Sequence, residues 1–163
     1  MRSKIVGAEE LREQVKELKQ QGKKVVATSG CFDIIHAGHV TYLEEAAAKG
    51  DIFVLFLNSD SSVKGLKGDL RPIVPENERA IVVAGLGCVD YVCLFSESTP
   101  CAMIDKIQPD SFIKGGDYEG KWIPEMDSVA KYGGKVEYVS MVDGCSTTNI
   151  IEKIVTVMKG ETK

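Results

Sequence analysis

The chain of 163 residues lacks any apolar run near the roughly 20 residues that a membrane-spanning helix needs. Its opening stretch, MRSKIVGAEELREQVKELKQQ, has the pattern of a charged helix and not that of a secretory signal. A basic excess is missing too, since the net charge is −4 and the pI is near 5.3. We therefore expect a cytoplasmic protein with neither a membrane nor a nucleic-acid partner, although small phosphorylated ligands need only a local positive cluster.

Cysteine and histidine chemistry is also limited. The five cysteines are an odd number and form no CxxC pair, so neither a disulfide framework nor a zinc knuckle is indicated. Both histidines of the chain lie in one turn, and no cysteine stands at ligand spacing from them. No metal ligand can be named from the sequence.

What is present is an alternation of strands and helices. Apolar runs of strand length, KKVVATSG, DIFVLFLNS, YVCLF, SFIKG and KVEYVS, are separated by segments with helical periodicity. This pattern predicts one α/β domain with a Rossmann-like, doubly wound, parallel five-stranded sheet and helices on both faces. We divide the domain into a leading helix over 1–22, a core over 23–158 and a tail over 159–163. Ligands of such sheets bind beyond the carboxyl ends of the strands.

The turn GCFDIIHAGH follows the first predicted strand and opens the first core helix. Gly30 would allow close backbone approach, and His36 and His39 stand three residues apart where free N–H groups and the helix dipole favour phosphate. Neutral or charged imidazoles can donate hydrogen bonds to phosphate oxygens. The alternatives are a plain turn with one capping and one solvated histidine, or a zinc pair.

The motif GxFDxxHxGH resembles the signature of the nucleotidyltransferase superfamily, which includes the glycerol-3-phosphate cytidylyltransferases. The segments NSDSSVKGLKGDLRPIVPENER, IKGGDYEG and DGCSTTNIIEKI are similar to those of a narrower family, the ADP-heptose synthases, over nearly the whole chain. The resemblance implies that His36 and His39 are catalytic and that the rest of the motif binds the nucleotide, namely Gly30, Cys31, Phe32, Asp33 and Gly38.

The segment VKGLKGDLR is predicted to be a pliable basic loop between a strand and a helix. It resembles the mobile substrate loop of the family, which implies that Lys64 and Lys67 hold phosphates as catalytic residues, with Arg71 and Arg79 in support. The alternative is an ordinary solvated loop, in which nearby acidic residues pair with some of the bases.

Two further segments resemble nucleotide-binding parts of the family. In KGGDY, Gly116 and Asp117 correspond to a nucleoside-binding position, although a plain turn explains them as well, and Tyr118 and Trp122 suit a core as well as base stacking. In DGCSTTNII, Gly144, Ser146, Thr147 and Thr148 form a helix cap that could also hold phosphates. Met141 stands where many relatives have arginine, which favours the heptose subgroup.

The resemblance implies transfer of AMP from ATP to D-glycero-D-manno-heptose 1-phosphate by in-line displacement, with Mg²⁺, a separate heptose kinase upstream and a homo-oligomeric assembly. The runner-up is a cytidylyltransferase acting on a polyol phosphate such as glycerol 3-phosphate. A non-catalytic nucleotide-binding domain and a thiol-redox protein built on Cys31 are alternatives from other classes, since fold alone does not fix function.

Overall fold

The sheet of the predicted fold is present in the computed structural model, which describes residues 2–140 and 144–160. Its strands, all parallel, are β1 (Val25–Gly30), β2 (Ile52–Asn58), β3 (Tyr91–Phe95), β4 (Ser111–Gly115) and β5 (Lys135–Val139). The order across the sheet is β3-β2-β1-β4-β5. The prediction of a Rossmann-like five-stranded α/β domain is confirmed.

Helices cover both faces of the sheet. In the described part of the chain they are α1 (Ala8–Gln20), α2 (Ala37–Ala47), α3 (Asp60–Lys67), α4 (Glu76–Ala84), α5 (Cys101–Ile107), α6 (Pro124–Ala130) and α7 (Thr147–Met158). All of them except α3 lie where the periodicity predicted a helix. Among these residues, none of the helices has the length and apolar character needed to span a membrane.

The two faces of the sheet bury two separate apolar clusters. One cluster packs α1, α5 and α6 against side chains such as Phe56 and Phe112. The other packs α2 and α4 against side chains such as Leu55 and Ile113. Neighbouring residues of β4 thus point to opposite faces, as the two-residue period of a strand requires. The continuous apolar runs that predicted the strands follow from this burial on both sides.

Helix α3 corrects the prediction that VKGLKGDLR is a loop. Ser59 precedes the helix and its hydroxyl accepts a hydrogen bond from the Ser62 backbone N–H, while Asp60 in the first turn suits the helix dipole. The helix ends at Lys67, and the residue after it, Gly68, has a φ of +91°, which favours glycine. The capping signal in NSDSS outweighs the cost of Gly65 inside the helix, and Lys64 and Lys67 therefore lie on a helix.

Candidate active site

A cleft of about 660 Å³ lies at the carboxyl end of the sheet, where β1 separates β2 from β4 and the winding direction reverses. Its volume is in the range of small-molecule sites. Most residues predicted for the site line it, namely Gly30, Cys31, Phe32, Asp33, His36, Gly38, His39, Lys67, Arg71, Asp117, Ser146, Thr147 and Thr148. Four predicted residues are not among its lining residues: Lys64, Arg79, Gly116 and Gly144.

The two histidines form a stacked pair at the start of α2. His36 is the N-cap residue, and the ring centroids of His36 and His39 are 3.9 Å apart with an interplanar angle of 24°. Burial, with a smaller effect from His36, lowers the pKa of His39 to about 4, and burial also lowers the pKa of His36. Both Nδ1 atoms are buried and have no hydrogen-bond partner among the described residues. At neutral pH the pair therefore offers uncharged imidazoles to a ligand.

Two glycines allow this turn to close tightly. A Cβ atom on Gly30 would lie 2.6 Å from Cε2 of Phe32, whose ring centroid is 5.2 Å from that of His39. A Cβ atom on Gly38 would lie 2.7 Å from Cβ of Cys145, just before α7. A larger residue at Gly38 would push the turn away from the start of α7, and one at Gly30 would displace the Phe32 ring beside His39.

Asp33 ties the turn to the segment that follows α3. Its carboxylate accepts hydrogen bonds from the backbone N–H groups of Ile73 and Val74 and from Nε of Arg71, at 2.7 to 2.9 Å. Burial alone raises the pKa of Asp33, but these hydrogen bonds outweigh it and lower the pKa below its ordinary value. Asp33 thus positions Arg71 at the cleft, and no other acceptor for the Arg71 guanidinium lies in the described residues.

Arg79 does not support phosphates as predicted. Its side chain is fully buried, and its guanidinium donates to the carbonyl oxygens of Cys31, Asn58 and Val74 and to the carboxylate of Asp60. A long basic side chain in a charged segment looks exposed in sequence, but here the carbonyl groups at the ends of β1 and β2 surround it. Arg79 therefore supports the backbone of the lining residues Cys31 and Asn58 and does not line the cleft itself.

The two lysines of α3 have different positions. Lys67, at the last residue of the helix, lines the cleft, whereas Lys64 is exposed and does not line it. The alternative, in which Asp69 and Glu76 pair with these bases, is not seen in the described residues: Arg71 pairs with Asp33, and Glu76 accepts a hydrogen bond from the Asp60 backbone N–H.

Helix α7 brings its N-terminus to the cleft beside the histidines. The hydroxyl of Ser146 accepts a hydrogen bond from the Asn149 backbone N–H, which confirms the predicted cap, and the hydroxyl of Thr147 donates to the carbonyl oxygen of Ile34. Gly144 has a φ of +75° and makes the turn before the helix. Met141, the position that distinguishes the subgroups, lies outside the described residues.

The end of β4 contributes Asp117 but not Gly116. Asp117 and Tyr118 line the cleft, while Gly116 borders a separate surface depression near the end of β5. Tyr118 is 39% exposed and Trp122 is 69% exposed, so neither is a core residue. Trp122 is not among the residues that line the cleft.

Several lining residues were missed by sequence reasoning. Tyr42 is partly buried, its hydroxyl hydrogen-bonds with the hydroxyl of Thr28, and loss of hydration raises its pKa to about 12. The loop after β3 contributes Ser98, Thr99 and Pro100. Lys114 and Glu125 form an ion pair across the cleft wall at 3.0 Å. Only the loop carried a signal, because it follows the carboxyl end of a parallel strand.

Cys31 lacks the surroundings of a reactive thiol. Its predicted position near a helix N-terminus could have lowered its pKa, but burial outweighs the nearby cations and raises it. A raised thiol pKa leaves little thiolate at neutral pH. The polar groups that remain at the cleft include the two imidazoles, Lys67, Arg71 and the N-terminus of α7.

The family model for cytidylyltransferase-like proteins matches residues 27–153, which include the whole cleft. The chain belongs to the cytidylyltransferase-like family. It is 51% identical to the bifunctional protein HldE of Syntrophotalea carbinolica over 93% of this chain and 31% of that protein. It is also 53% identical to the bifunctional protein HldE of Geobacter metallireducens, over 83% of this chain and 28% of that protein. The chain thus spans about a third of the length of these curated relatives.

One solved structure is also similar to this chain in sequence and in fold. The lipopolysaccharide core biosynthesis protein from Thermoplasma volcanium is 30% identical to this chain, with a TM-score of 0.61. The match covers 74% of this chain and 98% of that one. Members of the family are nucleotidyltransferases, and the resemblance drawn from the HxGH turn is confirmed.

Proposed function

We propose that the chain transfers AMP from ATP to D-glycero-D-manno-heptose 1-phosphate, which yields ADP-heptose and pyrophosphate. The observation that carries this proposal is the stacked pair of His36 and His39, placed in one cleft with the N-terminus of α7. Two uncharged donors beside free backbone N–H groups suit a triphosphate. The similarity to HldE and to a lipopolysaccharide core protein supports a sugar phosphate as the acceptor.

The residues of the cleft suit a direct displacement. A sugar phosphate is already anionic at neutral pH, so its attack on the α-phosphorus of ATP needs no general base and no covalent nucleophile on the protein. What remains is to position the two substrates and to stabilise charge on the phosphorus oxygens. His36 and His39 donate hydrogen bonds to those oxygens, and Lys67 and Arg71 supply positive charge beside them.

Magnesium enters this proposal as part of the Mg–ATP substrate. Among the described residues, no group of three or more histidine, cysteine, aspartate or glutamate side chains could hold a metal ion. Mg²⁺ is commonly held by substrate phosphates with one or two carboxylates, and Asp117 supplies a carboxylate at the cleft. The donor set therefore fits a metal that arrives with the nucleotide.

A panel of nucleotides tests the proposal. Purified protein is incubated with ATP, CTP, GTP or UTP and with several sugar 1-phosphates, and pyrophosphate release is measured. We expect kcat/KM for ATP to exceed that for CTP by at least about a hundredfold with the heptose 1-phosphate, because polar groups matched to adenine stay unpaired against cytosine. Equal values would overturn the choice of base, and no release with any pair would favour a non-catalytic nucleotide-binding domain.

A cytidylyltransferase acting on a polyol phosphate is the second candidate, because the matching family model is named for cytidylyl transfer. Glycerol 3-phosphate with CTP belongs in the same panel for this reason. The proposal also includes a kinase reaction that supplies the sugar 1-phosphate, a cytoplasmic location and a homo-oligomeric assembly.

A further inference from the structure

We infer that the Lys114–Glu125 ion pair is the part of the cleft that recognises the hydroxyl groups of the acceptor sugar. This inference rests on the proposed function, since it names the subsite of the second substrate. Lys114 lies near the end of β4, and Glu125 lies in the first turn of α6. Both residues line the cleft, and Nζ of Lys114 donates to Oε1 of Glu125 at 3.0 Å.

The pair lies on the opposite face of the sheet from the histidines. Phe112 packs with α1, α5 and α6, and Lys114, two residues further along β4, points to that same side. Nζ of Lys114 lies 5.9 Å from the centroid of the Phe112 ring. Helix α2, which carries the histidines, packs on the other face with Ile113. The cleft therefore extends across the carboxyl end of the sheet, with the proposed phosphate-binding groups on one face and this pair on the other.

Burial of this ion pair costs free energy of folding. The side chain of Glu125 is 6% exposed and that of Lys114 is 16% exposed. An ion pair taken out of water loses hydration that its own attraction seldom outweighs, and apolar side chains of similar volume often stabilise a protein as well. A costly pair in a cleft is typical of functional sites.

The pair retains hydrogen-bonding capacity toward the cleft. The ammonium group of Lys114 has three donors and gives one to Glu125, and Glu125 has no other hydrogen bond in the described residues. Nζ of Lys114 also lies 4.6 Å from the centroid of the Tyr118 ring, which holds it in place. A donor and an acceptor side by side match a sugar hydroxyl, which accepts from the ammonium group and donates to the carboxylate.

The alternative is that the pair only clamps α6 to β4. Two variants separate these roles. Glu125→Gln keeps the shape but loses the charge, and the double variant Lys114→Met/Glu125→Leu replaces the pair by apolar side chains without leaving a buried charge. The matched control is the double variant Lys106→Met/Glu9→Leu. These two residues form an exposed ion pair, with 2.7 Å between Nζ and Oε1, and neither lines the cleft.

The experiment measures KM for heptose 1-phosphate and for ATP, together with inhibition by cyclohexyl phosphate, a ring without hydroxyl groups. We expect both variants to raise KM for the heptose 1-phosphate about tenfold or more, as for one lost hydrogen bond to a charged group. KM for ATP and the Ki of cyclohexyl phosphate should stay within about twofold of the wild-type values. Melting temperature confirms that each variant is folded.

Three outcomes would contradict the inference or its basis. Unchanged KM for the heptose 1-phosphate in folded variants, or a matching rise in the Ki of cyclohexyl phosphate, would overturn the role of the pair while leaving the proposed function standing. A wild-type protein that releases no pyrophosphate and shows no heptose 1-phosphate binding by calorimetry would overturn the proposed function and, with it, this inference.

Discussion

At the scale of single residues, the cleft is built around two side chains that carry no charge at neutral pH. Burial lowers the pKa of both histidines, the nearby His36 ring lowers that of His39 further, and each ring retains a buried nitrogen without a partner in the described residues. A buried polar atom without a partner costs free energy. Both rings line the cleft, and we expect ligand phosphate oxygens to accept hydrogen bonds from them.

We expect His39→Ala to reduce kcat/KM by about a hundredfold or more, a loss typical of removing one donor that stabilises a transition state. Initial rates of pyrophosphate release measure this effect. Circular dichroism and the melting temperature check that the variant folds. Turnover near the wild-type rate in a folded variant would show that His39 is only a packing residue beside Phe32.

The histidines also make the pKa shifts directly measurable, because the chain has only two. We expect proton NMR to show two imidazole titrations, both below the ordinary value of 6.5, with His39 at about 4 and below His36. A His36→Gln variant assigns the signals. A resonance of His39 that titrates near 6.5 in the folded protein would contradict the burial described here.

The lowered pKa of His39 also makes the stability of the fold depend on pH. The folded protein keeps His39 neutral down to about pH 4, whereas the unfolded chain protonates it near pH 6.5. Stability from this group is therefore present above pH 6.5 and is lost as the pH falls from 6.5 to about 4. Asp33 and Glu137, whose pKa values are lowered, lose their contributions at lower pH.

How far the sequence predicts a residue depends on whether its partners are local. The histidine pair follows from spacing of three at the start of one helix, and Ser146 follows from its place before another. Asp33 and Arg79 could not be assigned, because most of their partners lie about 20 to 50 residues away in sequence and are mostly backbone groups. Sequence shows charge but not which carbonyl groups surround it.

At the scale of elements, α3 decides which cations reach the cleft. A helix fixes the directions of its side chains, whereas the predicted loop would have let both lysines move toward a ligand. The short helix places Lys67 at the cleft and leaves Lys64 in solvent. Lys67 can therefore be tested as a site residue, with Lys64 of the same helix as the matched control.

We expect Lys67→Ala to lower kcat/KM about tenfold or more, because a cation beside a phosphate contributes a charge-assisted hydrogen bond. Lys64→Ala should stay within about twofold of wild type, and both variants should keep the melting temperature, because solvated charges contribute little to folding. Steady-state kinetics with varied ATP measure the difference. Equal losses of kcat/KM in the two variants would contradict this assignment and favour the predicted pliable loop, in which both lysines reach the ligand.

At the scale of the whole molecule, the sheet was the most predictable part, because five apolar strand patterns alternate with helices and only a few topologies accommodate them. The charge distribution was not predictable in this way. Near the amino ends of the strands, away from the cleft, Glu137 accepts hydrogen bonds from Ser111 and Lys24 and lies 3.3 Å from Nζ of Lys135. Its three partners come from three separate segments of the chain.

Glu137 is expected to support stability without affecting catalysis. The hydrogen bond from Ser111, followed by those from Lys135 and Lys24, lowers its pKa to about 2, below the ordinary value of 4.5. Its contribution is therefore present above pH 4.5 and is lost as the pH falls toward 2. We expect Glu137→Gln to melt at a lower temperature than wild type at pH 7, with the two converging near pH 2, and with unchanged kcat/KM.

The control for this measurement is Glu13→Gln. Glu13 is an exposed residue of α1 that has no ion pair in the described part of the chain. Differential scanning calorimetry across pH 2 to 8 compares the three proteins. A gap between Glu137→Gln and wild type that persists unchanged at pH 2 would show that the carboxylate charge is not its source.

The position of the cleft across the carboxyl end of the sheet has a consequence for the order in which substrates bind and react. With the proposed nucleotide groups on one face and the proposed sugar-binding pair Lys114–Glu125 on the other, we expect donor and acceptor to occupy the cleft together, so that neither has to leave before the other enters. Initial-rate lines should then intersect, and no exchange of labelled pyrophosphate into ATP should occur without acceptor. A single displacement also inverts the configuration at the α-phosphorus, so a chiral thiophosphate donor should give one inverted product.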